Sequence, residues 1–91
     1  MTTITAQVSL YPLREKEIGP QIRALLRILK ASGLHVRMGE MSTLVWGEEA
    51  TVFAALHEGF HHAAMEGDTV MTMTISNACP SPEEPAREHE K

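Results

Sequence analysis

The sequence predicts an α+β fold, a ferredoxin-like βαββαβ sandwich in which a four-stranded antiparallel sheet carries two helices on one face. Three observations carry that expectation. Segments near both ends of the chain alternate apolar and polar residues, as half-buried strands do. Two longer segments repeat apolar residues at three- and four-residue steps, as amphipathic helices do. The segments fall in the order strand, helix, strand, strand, helix, strand, and right-handed crossovers then put both helices over the same side of one sheet.

The first strand runs from Thr3 to Tyr11, with Ile4, Ala6, Val8 and Leu10 on one face and Thr5, Gln7, Ser9 and Tyr11 on the other. Pro12 ends it, because proline cannot donate to a continuing ladder. From Glu15 to Ser32 the period is helical: Ile18, Ile22, Leu25, Leu26 and Leu29 form the stripe, and Arg23, Arg27 and Lys30 lie at other angles. Glu15 and Glu17 suit the positive end of that helix, and Gly33 is a natural stop.

His35 to Met38 reads as a short second strand, Gly39-Glu40 as a tight turn or bulge, and Met41 to Trp46 as the third strand. Gly47 and Glu48-Glu49 open a second helix that runs to about Glu66, with Val52, Phe53, Leu56, Phe60, Ala63 and Ala64 as its apolar stripe. Gly67-Asp68 stops it. The last strand, Thr69 to Ser76, sets Met71, Met73 and Ile75 against Val70, Thr72 and Thr74. The sheet face away from the helices would then be wide, polar and uncharged, which suits either solvent or a ligand or partner.

With 91 residues there is chain enough for one core, so residues 1–79 are expected to form a single domain. Residues 80–91 contain three prolines and several acidic residues but almost nothing apolar, and read as a disordered acidic tail. Aromatics make up only 4%, so the core is built from aliphatic residues and methionine, with a thin stability margin. Burying apolar surface between identical chains is a common remedy, and a homo-oligomer is expected.

The formal net charge of -4, without a Lys/Arg cluster, argues against nucleic acid. No apolar run approaches the roughly 20 residues of a membrane span, and the amino terminus lacks the basic start and apolar block of a signal peptide. A single cysteine, Cys79, precludes an intrachain disulfide. Together these features point to the cytoplasm.

Several motifs invite a chemical reading. His57-Glu58-Gly59-Phe60-His61 fits H-E-x-x-H, in which two histidines one helical turn apart hold zinc and the glutamate activates water. Here the histidines lie at the edge of the apolar stripe and Glu58 points away from it, so solvated surface histidines are the plainer reading. Cys79 shows no neighbouring base or helix terminus that would activate its thiol. Met71 and Met73 share the face that should meet the helices, which suits core filling better than soft-metal binding. No phosphate loop, paired carboxylates or nucleophilic triad can be placed, so no enzymatic activity and no cofactor are expected. What remains is a polar set: Gln7, Ser9, Tyr11, Ser42, Thr43, Trp46, Ser76 and Asn77. Hydroxyls and amides can both donate and accept, as an aminopyrimidine edge requires, and an aromatic ring can stack on it. The plainer alternative is that Ser and Thr simply favour exposed strand positions.

Three blocks of the sequence, Gln7-Val-Ser-Leu-Tyr-Pro-Leu13, Met41-Ser-Thr-Leu-Val-Trp-Gly47 and Ser76-Asn-Ala-Cys-Pro80, resemble in order and spacing the thiamine-binding (hydroxymethylpyrimidine/thiamine-binding) proteins, long filed as a domain of unknown function. The resemblance spans Ile4 to Pro80. It implies a ferredoxin-like fold, assembly into dimers or tetramers, and binding of thiamine or its pyrimidine moiety without catalysis. Carried over block by block, it implies Ser9 and Tyr11, Ser42 and Thr43, and Asn77 as ligand contacts, with Cys79 nearby. Gln7 and Trp46 join them on chemical grounds. Some relatives are tandem two-domain chains, so a dimer would supply the second half here. The cationic thiazolium mildly suits the net negative charge, with Glu40 and Glu48 flanking the central block.

The expectation is therefore a cytoplasmic, non-enzymatic oligomer that binds thiamine or hydroxymethylpyrimidine. The alternatives are a structural or regulatory ferredoxin-like oligomer without a small-molecule ligand and, remotely, a metal-binding protein using His57, Glu58 and His61.

Overall fold

The computed structural model describes residues 2–14, 18–39 and 42–78. The expectations placed on Glu15, Glu17, Glu40, Met41, Cys79 and the tail from Pro80 lie outside the described residues. The elements are β1 (Thr3–Pro12), α1 (Gly19–Ala31), β2 (His35–Met38), β3 (Thr43–Glu48), α2 (Glu49–Glu66) and β4 (Thr69–Ser76). The four strands form one antiparallel sheet in the order β2-β3-β1-β4, the ferredoxin-like arrangement.

β1 pairs with β3 on one side and with β4 on the other, and its alternation separates the two faces. Ala6 stands between Val45 and Ile75, and Val8 between Thr43 and Met73, all facing the helices. Ile4, Ala6, Val8 and Leu10 are buried there with Val45, Leu25, Leu29, Val52 and Leu56. Gln7 stands between Leu44 and Thr74 on the open face, and Ser9 opposite Thr72.

Helix α1 begins at Gly19 rather than at Glu15, with a proline in its first turn and no acidic residue there. Pro20 explains the later start: it lacks the N–H that a first-turn residue leaves unpaired anyway, and its fixed φ is already helical. Ser32 caps the other end through its backbone N–H to Ile28 and Leu29, and Gly33 leaves the helix at φ 84°, where a side chain would be strained. Strand β3 starts at Thr43, two residues later than the pattern suggests, because the backbone N–H of Gly39 donates to the Ser42 carbonyl (2.8 Å) and draws Ser42 into the turn from β2.

Helix α2 is rolled relative to the expected stripe. Its buried positions are Val52, Ala55, Leu56, Gly59 and Ala63, whereas Phe53 and Phe60 remain 45% and 40% exposed. At about 100° per residue the buried arc centres roughly 40° from Leu56, toward the small residues. The cause is close packing on α1: a Cβ at Gly59 would lie 2.4 Å from Leu25 Cδ1. The roll uncovers part of β4. Met71 and Ile75 still pack on the core, but Met73 is 48% exposed, which corrects its assignment as core filling.

Glu48 joins β3 to α2. Its carboxylate accepts from the backbone N–H and the hydroxyl of Thr51, both at 3.0 Å. These hydrogen bonds, led by the backbone one, hold its carboxyl below the usual carboxylate range. A lowered folded pKa gives stability that is full above the unfolded pKa and disappears as pH falls through the folded value. Glu48→Gln should therefore unfold more readily than wild type at neutral pH in denaturant titrations, with the gap closing on acidification. A gap unchanged from neutral to strongly acidic pH would contradict this role.

Candidate functional site

At the end of the sheet where β1 exits, the turn from β2 to β3 and the start of α1 enclose a cavity of about 200 Å³. Alternation on β1 sends Leu10 to its helix side and Ser9 and Tyr11 to its border. The turn brings Gly39, Ser42 and Thr43 to the facing wall, and Ile18, Ile22 and Leu25 close the apolar side. Ser9 and Ser42 are half-buried, Tyr11 is 46% exposed, and Thr43 is the one buried polar side chain among the described residues.

Gln7 lies beside this group and not in the cavity wall. Its Nε2 donates to Ser42 Oγ at 3.0 Å, which fixes the hydroxyl at the end of the turn. At the same end the Leu13 N–H donates to the Asp68 carbonyl (2.9 Å) and Arg14 pairs with Asp68, tying the exit of β1 to the entry of β4. Arg14 holds a left-handed backbone there, at φ 60°.

Of the sequence-predicted residues, Ser9, Tyr11, Ser42 and Thr43 thus converge, with Gln7 behind Ser42. Trp46 and Asn77 do not join them. Trp46 stands opposite Thr5 and His35 at the other end of the sheet, stacked on the His35 ring at 5.5 Å and 16°. It is only 5% exposed, and its indole Nε1 is buried without a hydrogen-bond partner among the described residues. Asn77 follows Ser76, which pairs with Thr5. Extending the two ladders sets Asn77 beside Ile4 and Ser42 beside Ser9, five positions or roughly 17 Å apart along β1. The separation reflects strand direction: β3 begins at the end of the sheet where β4 begins, so the close of β4 lies opposite the start of β3.

The wall residues that sequence reasoning did not assign to the site are Val8, Leu10 and Leu25, read as core, together with Ile18, Ile22, Met38 and Gly39. The isoleucines were read as helix stripe; Gly19-Pro20, which marks the true helix start, is the signal that would have freed Ile18 from it.

No ionised side chain is among the described residues lining the cavity. The chemistry of the described wall is that of hydroxyls set among apolar side chains, which can donate to and accept from a polar ring edge. A partly exposed tyrosine borders it and offers an aromatic surface.

On α2, His57 and His61 are exposed, with ring centroids 6.3 Å apart and nearly perpendicular. Among the described residues no group of three His, Cys, Asp or Glu side chains that could hold a metal ion comes together. No helix among them is long and apolar enough to cross a membrane.

Comparison with known proteins adds the family and the fold. No curated protein matches the sequence. Among solved structures, the chain is similar to hypothetical protein MJ1052 of Methanocaldococcus jannascii, at 21% identity and TM-score 0.79, covering 99% of this chain and 93% of that one. It is similar to a domain of unknown function, DUF77, of Bacillus cereus, at 17% identity and TM-score 0.72, covering 99% and 86%. It is also similar to the Thermotoga maritima protein TM0486, called a "putative thiamine biosynthesis/salvage protein", at 16% identity and TM-score 0.72, covering 97% and 94%. At these identities the structural likeness carries the fold alone. The family model of the YKOF-related family matches residues 3–82, nearly the whole chain, and the chain belongs to that family.

Proposed function

We propose that this protein binds thiamine, through its hydroxymethylpyrimidine moiety, without catalysing a reaction on it, and that it does so in the cytoplasm as a homo-oligomer. The observation that carries the reading is the convergence of Ser9, Tyr11, Ser42 and Thr43 on one cavity at the end of the sheet. The T. maritima neighbour's name links a chain of this fold to thiamine biosynthesis or salvage. Size supports the pyrimidine as the enclosed part. About 200 Å³ falls below the roughly 300–1,000 Å³ of sites that enclose drug-sized molecules. One heterocycle would fill the cavity, and the thiazolium would lie at its mouth or against a second chain.

The neutral lining favours unphosphorylated ligand, since a phosphate would find no cation among the described wall residues. Ser42, held by Gln7, accepts one hydrogen bond and retains its own proton to donate to a ring nitrogen.

Calorimetry with thiamine and with hydroxymethylpyrimidine tests the reading. Both should bind, and thiamine diphosphate should bind no more tightly than thiamine. Each lost hydrogen bond is worth about 0.5–1.5 kcal/mol, so Ser42→Ala with Thr43→Val should weaken binding by about tenfold or more while the far-UV spectrum is unchanged. No heat and no thermal shift at millimolar ligand would remove the proposal in favour of a structural oligomer without a ligand.

A further inference from the structure

The roll of α2 leaves a groove of about 390 Å³ between that helix and β4, lined by Phe53, Leu56, His57, Phe60, Met71 and Met73. It shares no lining residue with the cavity at the strand ends. Most of its wall is hydrocarbon and aromatic ring. The heteroatoms that its lining side chains offer are two thioether sulfurs and one imidazole.

Local structure brings those three side chains together. Met71 and Met73 stand opposite Leu10 and Val8 of β1, so strand alternation turns both to the helix side of the sheet. Met71 packs on the core, but Met73 is 48% exposed, more than a methionine that only filled the interior would be. His57 follows the buried Leu56 on α2 and reaches the groove from the helix while remaining exposed. Methionine is unbranched and turns about three bonds, so two sulfurs two residues apart on a strand can approach one point.

That donor set is selective. Thioether sulfur is a soft ligand that selects Cu(I), and imidazole suits copper as well. Hard divalent cations take oxygen ligands, and no carboxylate is among the described lining residues. None of the three donors is an anion, so the charge of a bound ion stays uncompensated in apolar surroundings. A monovalent ion costs far less there than a divalent one. Phe53 and Phe60 line the same groove, and aromatic faces attract a cation.

We propose that this groove binds a monovalent soft metal ion, Cu(I), held by the sulfurs of Met71 and Met73 and by the His57 imidazole. The site differs from the H-E-x-x-H reading of α2, since it uses neither Glu58 nor His61. Binding is coordination alone, with no change of oxidation state. The thiamine reading draws on other residues, so neither depends on the other.

The full chain is titrated with Cu(I), kept reduced by ascorbate in the absence of oxygen, against a chromophoric Cu(I) chelator. The protein should withdraw one ion per chain, and the methyl resonances of Met71 and Met73 should shift while that of Met65 stays in place. Losing an outer-shell partner of a metal site already costs about 10–100-fold in affinity, so losing a ligand should cost at least about tenfold. Met71→Leu and Met73→Leu, which conserve volume, and His57→Gln should each show that loss with an unchanged far-UV spectrum. His61→Gln and Met65→Leu should bind as wild type does. Cys79 is a competing soft ligand, so the series is repeated in Cys79→Ser, where the same pattern should persist. No ion withdrawn from the chelator would overturn the proposal. So would affinity that survives Met71→Leu and Met73→Leu, that depends on His61 and not on Met73, or that vanishes with Cys79→Ser alone. Should a variant misfold, the wild-type methyl shifts decide, and unmoved Met71 and Met73 signals would overturn the site.

Discussion

The register of β1 is the constraint on which the rest of the structure depends. Ladders on both sides fix it, with Ala6 between Val45 and Ile75 and Val8 between Thr43 and Met73. A slip of one residue would exchange the faces, turning Gln7, Ser9 and Tyr11 into the core and Ile4, Val8 and Leu10 out of it. Burial of the aliphatic row forbids that slip, and Ser9 and Tyr11 are held at the cavity border as a consequence. The same ladder decides what they meet: Thr43 stands opposite Val8, so the turn before it, with Ser42, arrives at the end of the sheet where β1 exits.

The cavity lies where β1 exits and α1 begins. Gly19-Pro20 open the helix, and Ile18 and Ile22 beside that start line the cavity together with Leu25. The result is an apolar pocket bordered by hydroxyls and lacking an ion among its described wall residues. Such a lining distinguishes ligands by the placement of donors and acceptors, since a buried polar edge left unpaired is costly. The same helix packing has a second consequence. Gly59 lets α2 settle close to Leu25 of α1, and the resulting roll exposes Phe53, Phe60 and the outer side of β4. The cavity and the exposed groove on α2 are thus two outcomes of how two helices cover four strands.

Much of this architecture was legible in the residue pattern. The bounds of β2 and β4 match the pattern, β1 takes in the terminal Pro12, and α2 begins one residue after its capping glutamate. What the pattern could not supply were quantities set between elements. Strand order and direction decide that Asn77 falls at the end of the sheet remote from Ser42, and no local periodicity encodes them. Trp46 reads as an aromatic ring that could stack on a ligand, yet tertiary contact stacks it on His35 and leaves it 5% exposed. The late starts of α1 and β3 are local and were written in the sequence: Pro20 marks one, and the Gly39 turn marks the other. The exposure of Phe53 and Phe60 depends on a glycine–leucine contact between helices, which a single-helix stripe does not reveal.

The central claim is that the ligand ring lies at the strand ends bearing Ser9, Tyr11, Ser42 and Thr43, away from Trp46 and Asn77. Backbone amide resonances, assigned and followed while hydroxymethylpyrimidine is added, test it most directly. The account predicts shifts concentrated at Ser9, Tyr11, Gly39, Ser42 and Thr43, with the Trp46 indole and Asn77 signals unmoved. Shifts confined to Trp46, His35 and Asn77 at the other end of the sheet would contradict it.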